Sequence, residues 1–134
     1  PVSGRSDKTV KPRGHAPRYF TRMKAVFHHS NDDSDLHERV VNNVANLLDD
    51  DTVDVDAVAL VVNSGGLALL TTDSPQRETV EALQERGVSF RQCRNTIEGK
   101  DLTGDDLIDG VELVSSGIGE VAQLQDEGYA YLKP

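Results

Sequence analysis

Cys93 is the chain's one cysteine, and Arg91 and Arg94 flank it in a sequence that is otherwise acidic. A nearby cation lowers a thiol's pKa from about 8.5 and raises its thiolate fraction, so these residue types together could make a nucleophilic sulfur. Against that, a free cysteine is among the most buried residue types and commonly behaves as a small apolar side chain. One cysteine forms no internal disulfide, builds no Cys-based zinc site, and offers no Cys-x-x-Cys for dithiol chemistry. With no apolar leader in the sequence, a reducing, cytoplasmic setting is expected.

Other chemistry-bearing residues gather near His28, His29 and His37, with Asp32, Asp33 and Asp35 beside them. On a strand, His28 and His29 point to opposite faces, so at most one faces any shared site. His29 beside Cys93 could accept its proton. No zinc-type ligand spacing is present, so the region reads as a solvated acidic loop rather than a metal site, and no cofactor is expected. Ser64-Gly65-Gly66 lacks the full glycine-rich phosphate pattern and a basic residue, and reads as a tight turn that could wall a Cys93 pocket. Ser115-Ser116-Gly117 opens a helix whose amides attract anions, though capping explains it as well. The acid clusters at 49–51 and 105–106 sit at helix ends, where solvation and the helix dipole account for them.

The elements that must position these residues alternate. Residues 24–29 form a short apolar strand. Asp33, Ser34 or Asp35 can cap a helix in which Leu36, Val40, Val44, Leu47 and Leu48 recur at helical spacing. Residues 56–63 are a near-continuous apolar run, as expected for a strand buried on both faces of a parallel sheet. After a short helix at 67–70, Ser74-Pro75 starts a helix over 75–86 that Gly87 stops. Residues 88–93 form a third strand with Cys93 at its carboxyl end, where ligands collect in parallel sheets. A short helix over 103–108, a strand over 111–114, a helix over 118–127 stopped by Gly128, and a last strand over 129–132 complete the pattern. This order predicts a single α/β domain over 23–134: a mainly parallel five-stranded sheet with helices on both faces. The Cys93 sulfur is expected to open to a pocket drawn from the loops after Ser30 and Ser64, with its pKa depressed by Arg91 or Arg94.

Charge is unevenly spread along the 134 residues. Residues 1–22 hold six of the 14 Lys and Arg but one acid, and form an extended basic arm; the remaining 112 hold eight basic residues and 22 acids. A body of charge −14 repels nucleic acid and anionic membranes. No apolar run is long enough to span a bilayer. Fifteen of the 23 acids are Asp and only five residues are Lys, a composition suited to a halophilic source, where molar salt shortens the Debye length to about 3 Å.

Read in order, residues 24–134 resemble the DsrE/DsrF-like family, which includes YchN-like proteins. The resemblance rests on Ala59-Leu-Val-Val-Asn63 with Gly65-Gly66 and Leu69-Leu70, then Leu83-Gln-Glu-Arg-Gly87-Val88 and Cys93-Arg-Asn95-Thr96. It continues through Leu113-Val-Ser-Ser-Gly117 and Leu124-Gln125-Asp-Glu-Gly128-Tyr129-Ala130-Tyr131. It implies that Cys93 carries sulfur as a persulfide between donor and acceptor proteins, and that the chain forms a trimer or a hexamer built from trimers. Pocket-forming candidates are His29, Asn63, Gly65, Gly66, Arg91, Arg94, Asn95, Ser116 and Gly117. Two alternatives remain: an oligomeric binding or regulatory module with an inert cysteine, and a small cysteine-dependent enzyme, which would need a base and an oxyanion site near Cys93.

Overall fold

The computed structural model describes residues 22–134. The basic arm expected over 1–22 therefore lies, apart from Arg22, outside the described residues.

Five strands, β1 (Met23–His29), β2 (Val55–Val62), β3 (Ser89–Cys93), β4 (Glu112–Val114) and β5 (Ala130–Leu132), form one sheet in the order β4-β3-β2-β1-β5. Every pairing is parallel. β2 lies at the centre, and its run Val58 to Val62 is buried on both faces, which is why it reads as unbroken apolar sequence.

Five helices cover the sheet: α1 (Ser34–Asp49), α2 (Leu67–Leu70), α3 (Arg77–Glu85), α4 (Arg94–Gly99) and α5 (Gly117–Asp126). On one face, Val40, Val41 and Val44 of α1, Val80 and Leu83 of α3 and Ile97 of α4 pack with Phe27, Leu60, Val62 and Phe90. On the other, Val121 and Leu124 of α5 pack on Val26, Ala59 and Val61. α5 is the sole helix of that face among the described residues. It carries the chain from one edge, β4, to the other, β5. Four strand spacings are about 19 Å and a ten-residue helix about 15 Å, so a helix and its short turns suffice. Gly128, at φ 99°, makes the tight turn into β5.

Asp33 caps α1 by accepting from the Asp35 amide, and the helix after Ser74-Pro75 begins at Arg77 rather than at the proline. One expectation is corrected. Residues 103–108 hold no α-helix: Thr103 and Asp106 form a capping box around a 3-10 turn, Gly104–Asp106, after which Leu107 and Ile108 extend to pair with Thr71 and Leu70. The segment after Cys93, to which the sequence pattern assigns no element, is helix α4, which begins at the very next residue.

Candidate functional site

β3 and β4 are neighbours, with Cys93 opposite Val114 at their carboxyl ends. Beyond that point the chain divides: β3 leads into α4 on one face and β4 into α5 on the other. Such a topological switch opens the crevice where parallel α/β sheets bind ligands, and Cys93 stands at its base.

Cys93 is 5% exposed, so the expectation of a thiol open to a pocket is corrected. The cause is the immediate turn into α4, which folds Asn95 and Thr96 back over the sulfur while the start of α5 closes the other side. What covers the sulfur also solvates it. The amides of Gly117, Thr96 and Asn95 and the Thr96 hydroxyl hydrogen-bond to it; burial pushes the thiol pKa up, but together these bonds outweigh burial and hold it below the ordinary thiol value. Ser64, at the end of β2, completes the arrangement: its amide donates to Thr96 Oγ1 at 2.9 Å, leaving the hydroxyl proton free to point at sulfur. Ser64 holds φ 50°, a left-handed conformation unusual without glycine.

The two arginines are not the cause expected of them. Arg91 is bound to Glu120 of α5, lies 3.6 Å from Glu112 and donates to Ser89 Oγ at 3.0 Å. It anchors α5 to the sheet. Arg94 is exposed, and neither cation figures in the shift of the thiol.

His29 is also placed otherwise. Its Nε2 lies 2.7 Å from His37 Nδ1, on the α1 face, and β2 separates its strand from that of Cys93. Burial, then His37, lowers its pKa to about 4. It is therefore no base for the thiol. Gly66 stacks beneath it, where an added Cβ would fall 2.7 Å from His29 O, and Gly65 touches Asp32 in the same way. These glycines join the loops after β1 and β2, and the contact with the sulfur's surroundings comes from Ser64 instead. Ser116 caps α5, its hydroxyl accepting from the Gly119 amide at 3.1 Å, and so sets Gly117 at the helix start.

Of the two strand histidines, His28 rather than the expected His29 lies on the Cys93 face. Its Nδ1 lies 3.1 Å from Tyr131 Oη and its Nε2 3.3 Å from Asn63 Oδ1. Period-two alternation offered the signal, since His28 shares a face with Val26 and residue 63 shares one with Val61. Among the described residues no group of three or more His, Cys, Asp or Glu is placed to hold a metal ion. A recess lined by Met23, Lys24, Asp54 and Gly128 lies at the amino ends of the strands, away from Cys93.

The sequence model of the DsrE/DsrF-like family matches residues 36–134, which include Asn63, Cys93, Thr96 and Gly117 but not β1. Among solved structures, the chain is similar to a protein of unknown function, MTH1491, from Methanobacterium thermoautotrophicum. Their identity is 36%, the match covers 84% of this chain and 99% of that one, and the TM-score is 0.79. A conserved protein of unknown function, BT1422, from Bacteroides thetaiotaomicron shares the fold at 13% identity and TM-score 0.62, over 90% of this chain and 100% of that one. No curated protein matches the chain.

Proposed function

Because the chain belongs to the DsrE/DsrF-like family, which is associated with sulfur relay, we propose that it carries sulfur as a persulfide on Cys93. The supporting observation is the set of amide and hydroxyl donors around this sulfur, an environment suited to a thiolate. In the loading step the Cys93 thiolate attacks the terminal sulfur of a donor persulfide, R–S–S⁻. A new S–S bond forms on Cys93 as the donor's S–S bond breaks and R–S⁻ departs with the bonding pair. The same exchange, run onto an acceptor thiolate, unloads it, with no net oxidation in either direction. Donor and acceptor are proteins in this reading, the setting is cytoplasmic, and the carrier is a homo-oligomer, a trimer or hexamer. No described helix is long and apolar enough to cross a membrane.

The burial of Cys93 supports a second reading, a binding or regulatory module whose cysteine only packs. The reading as a cysteine-dependent enzyme has less support, since His29 is engaged with His37. Incubation with inorganic polysulfide followed by intact-mass measurement separates them. Carriage predicts a gain of one sulfur atom that dithiothreitol removes and that Cys93→Ser abolishes. A protein that gains none, while iodoacetamide still labels Cys93, is not a carrier.

A further inference from the structure

On the α5 face, the carboxyl edge of the sheet presents a continuous polar row: Tyr131 on β5, His28 on β1, Asn63 after β2, then Gly117 and Cys93. Asn63 Oδ1 is an acceptor only, so His28 Nε2 carries the proton and donates to it, and Nδ1 accepts from the Tyr131 hydroxyl. The amide of Asn63 is thereby held at one end. At its other side it lies against Gly117: a Cβ built there would sit 3.2 Å from Asn63 Cβ and 3.3 Å from Nδ2. Glycine at this position therefore answers to the closeness of Asn63. Gly117 in turn opens α5 three residues beyond Val114, the neighbour of Cys93 in the sheet, and its amide is among the donors that lower the Cys93 pKa.

We propose that Asn63 is a positioning residue for Cys93: clamped by His28 and Tyr131, it seats Gly117 so that the Gly117 amide stays on the sulfur. Two contacts that look unrelated, a histidine–asparagine bond and a bare glycine, then serve one purpose. Helix α5 is pinned at its first residue by Asn63 and in its first turn by Arg91 on Glu120. The Asn63 contact is the one that bears on the thiol.

The proposal rests on Cys93 being the working group of the carriage reading, but its readout needs no sulfur donor. Alkylation of Cys93 by iodoacetamide is followed across the neutral-to-alkaline range. Asn63→Ala should slow it at neutral pH by about twofold to tenfold, the effect of weakening one hydrogen bond to the thiolate. At alkaline pH, where every thiol is ionised, the rate should meet or slightly exceed that of the unaltered protein. His28→Leu should act in the same direction, and His28→Gln, which keeps a donor toward Asn63, should recover most of the loss. Gly117→Ala should slow alkylation too, and adding Asn63→Ala to it should cost less than the two separate losses combined, because both act through one contact. Asn63→Ala and His28→Leu rates equal to the unaltered protein at every pH would overturn the proposal. So would faster alkylation at all pH values, which marks a loosened fold, and so would strictly independent effects of the Gly117 and Asn63 changes. If the unaltered protein takes up no sulfur from polysulfide, the carriage reading fails alone, because the alkylation profile still decides the role of Asn63.

Discussion

The backbone amide of Ser64 donates to Thr96 Oγ1 across the carboxyl edge of the sheet, joining the end of β2 to the first turn of α4 directly above Cys93. Since the oxygen accepts from Ser64, the hydroxyl proton is available to the sulfur. Thr96→Val keeps the shape and removes both bonds. Alkylation of Cys93 at neutral pH should slow several-fold, whereas Thr96→Ser should stay near the unaltered rate. Ser64 is exposed, so water can replace the lost acceptor and the stability cost should stay at about 1 kcal/mol in urea unfolding.

Arg94 provides the complementary test. If backbone donors rather than cations depress the thiol pKa, Arg94→Gln should leave the pH dependence of Cys93 alkylation in place. A rise in the titration midpoint as large as that of Thr96→Val would restore the cationic explanation. Arg91 should behave differently: with its side chain 20% exposed and bound to Glu120, Arg91→Met should cost stability, about 1–3 kcal/mol, by leaving a partly buried carboxylate alone.

The buried pair His29 and His37 makes stability depend on pH. The folded pKa of His29, about 4, lies below the unfolded value of about 6.5. Between those values the unfolded chain binds more protons, so stability rises with pH there. His37 is shifted in the same direction, again by burial. The His29 contribution is complete above about pH 6.5 and is lost as pH falls toward 4, a decline on the order of 2 kcal/mol. Urea unfolding at several pH values in this window should show the decline, and His29→Gln should flatten it. A decline confined to more acidic pH would assign it to carboxylates.

Much of this architecture is legible in the sequence because burial imposes it. The β2 run 58–62 has no polar residue, and only a central parallel strand is covered on both faces. Helix α4 is not legible: of its six residues only Ile97 is buried, so no periodicity marks it. Residues 103–108 mislead in the opposite direction, since Thr103 and Asp106 make a true capping box on a turn too short to continue. The site divides similarly. Cys93 at a strand end follows from pattern, but its principal partners are main-chain amides, which carry no side-chain signal. Alternation separates His28 from His29 without telling which faces Cys93. That depends on the register between the strands, which sets His28 beside Val61 and Val61 beside Arg91, two residues before Cys93.

Gly66 is held by the same crowding. Its Cβ position lies 2.7 Å from His29 O and 2.8 Å from Val62 Cγ1, and the carbonyl cannot rotate away because it accepts from the Asn63 amide. Gly66→Ala should therefore destabilise by about 1–3 kcal/mol, the usual penalty of overpacking. A denaturation midpoint equal to that of the unaltered protein would mean that the loop relaxes without cost.

Self-association should be governed by salt. Ile118, 62% exposed at the start of α5, and Tyr131 and Leu132, 40% and 37% exposed on edge strand β5, leave apolar surface on the domain. Among the described residues β5 bonds to β1 alone, which leaves its other backbone edge unpaired there. Closed assembly of copies would cover such surface. Opposing it is a net charge of −9 per chain, whose repulsion acts over about 10 Å at 0.1 M salt and over about 3 Å at 1 M. Light scattering across a salt series should therefore show the mass rising from monomer toward trimer or hexamer, and Ile118→Asp or Leu132→Asp should shift that transition to higher salt. A monomer that persists to molar salt would remove the homo-oligomer from the proposed function and leave each Cys93 to work within its own chain.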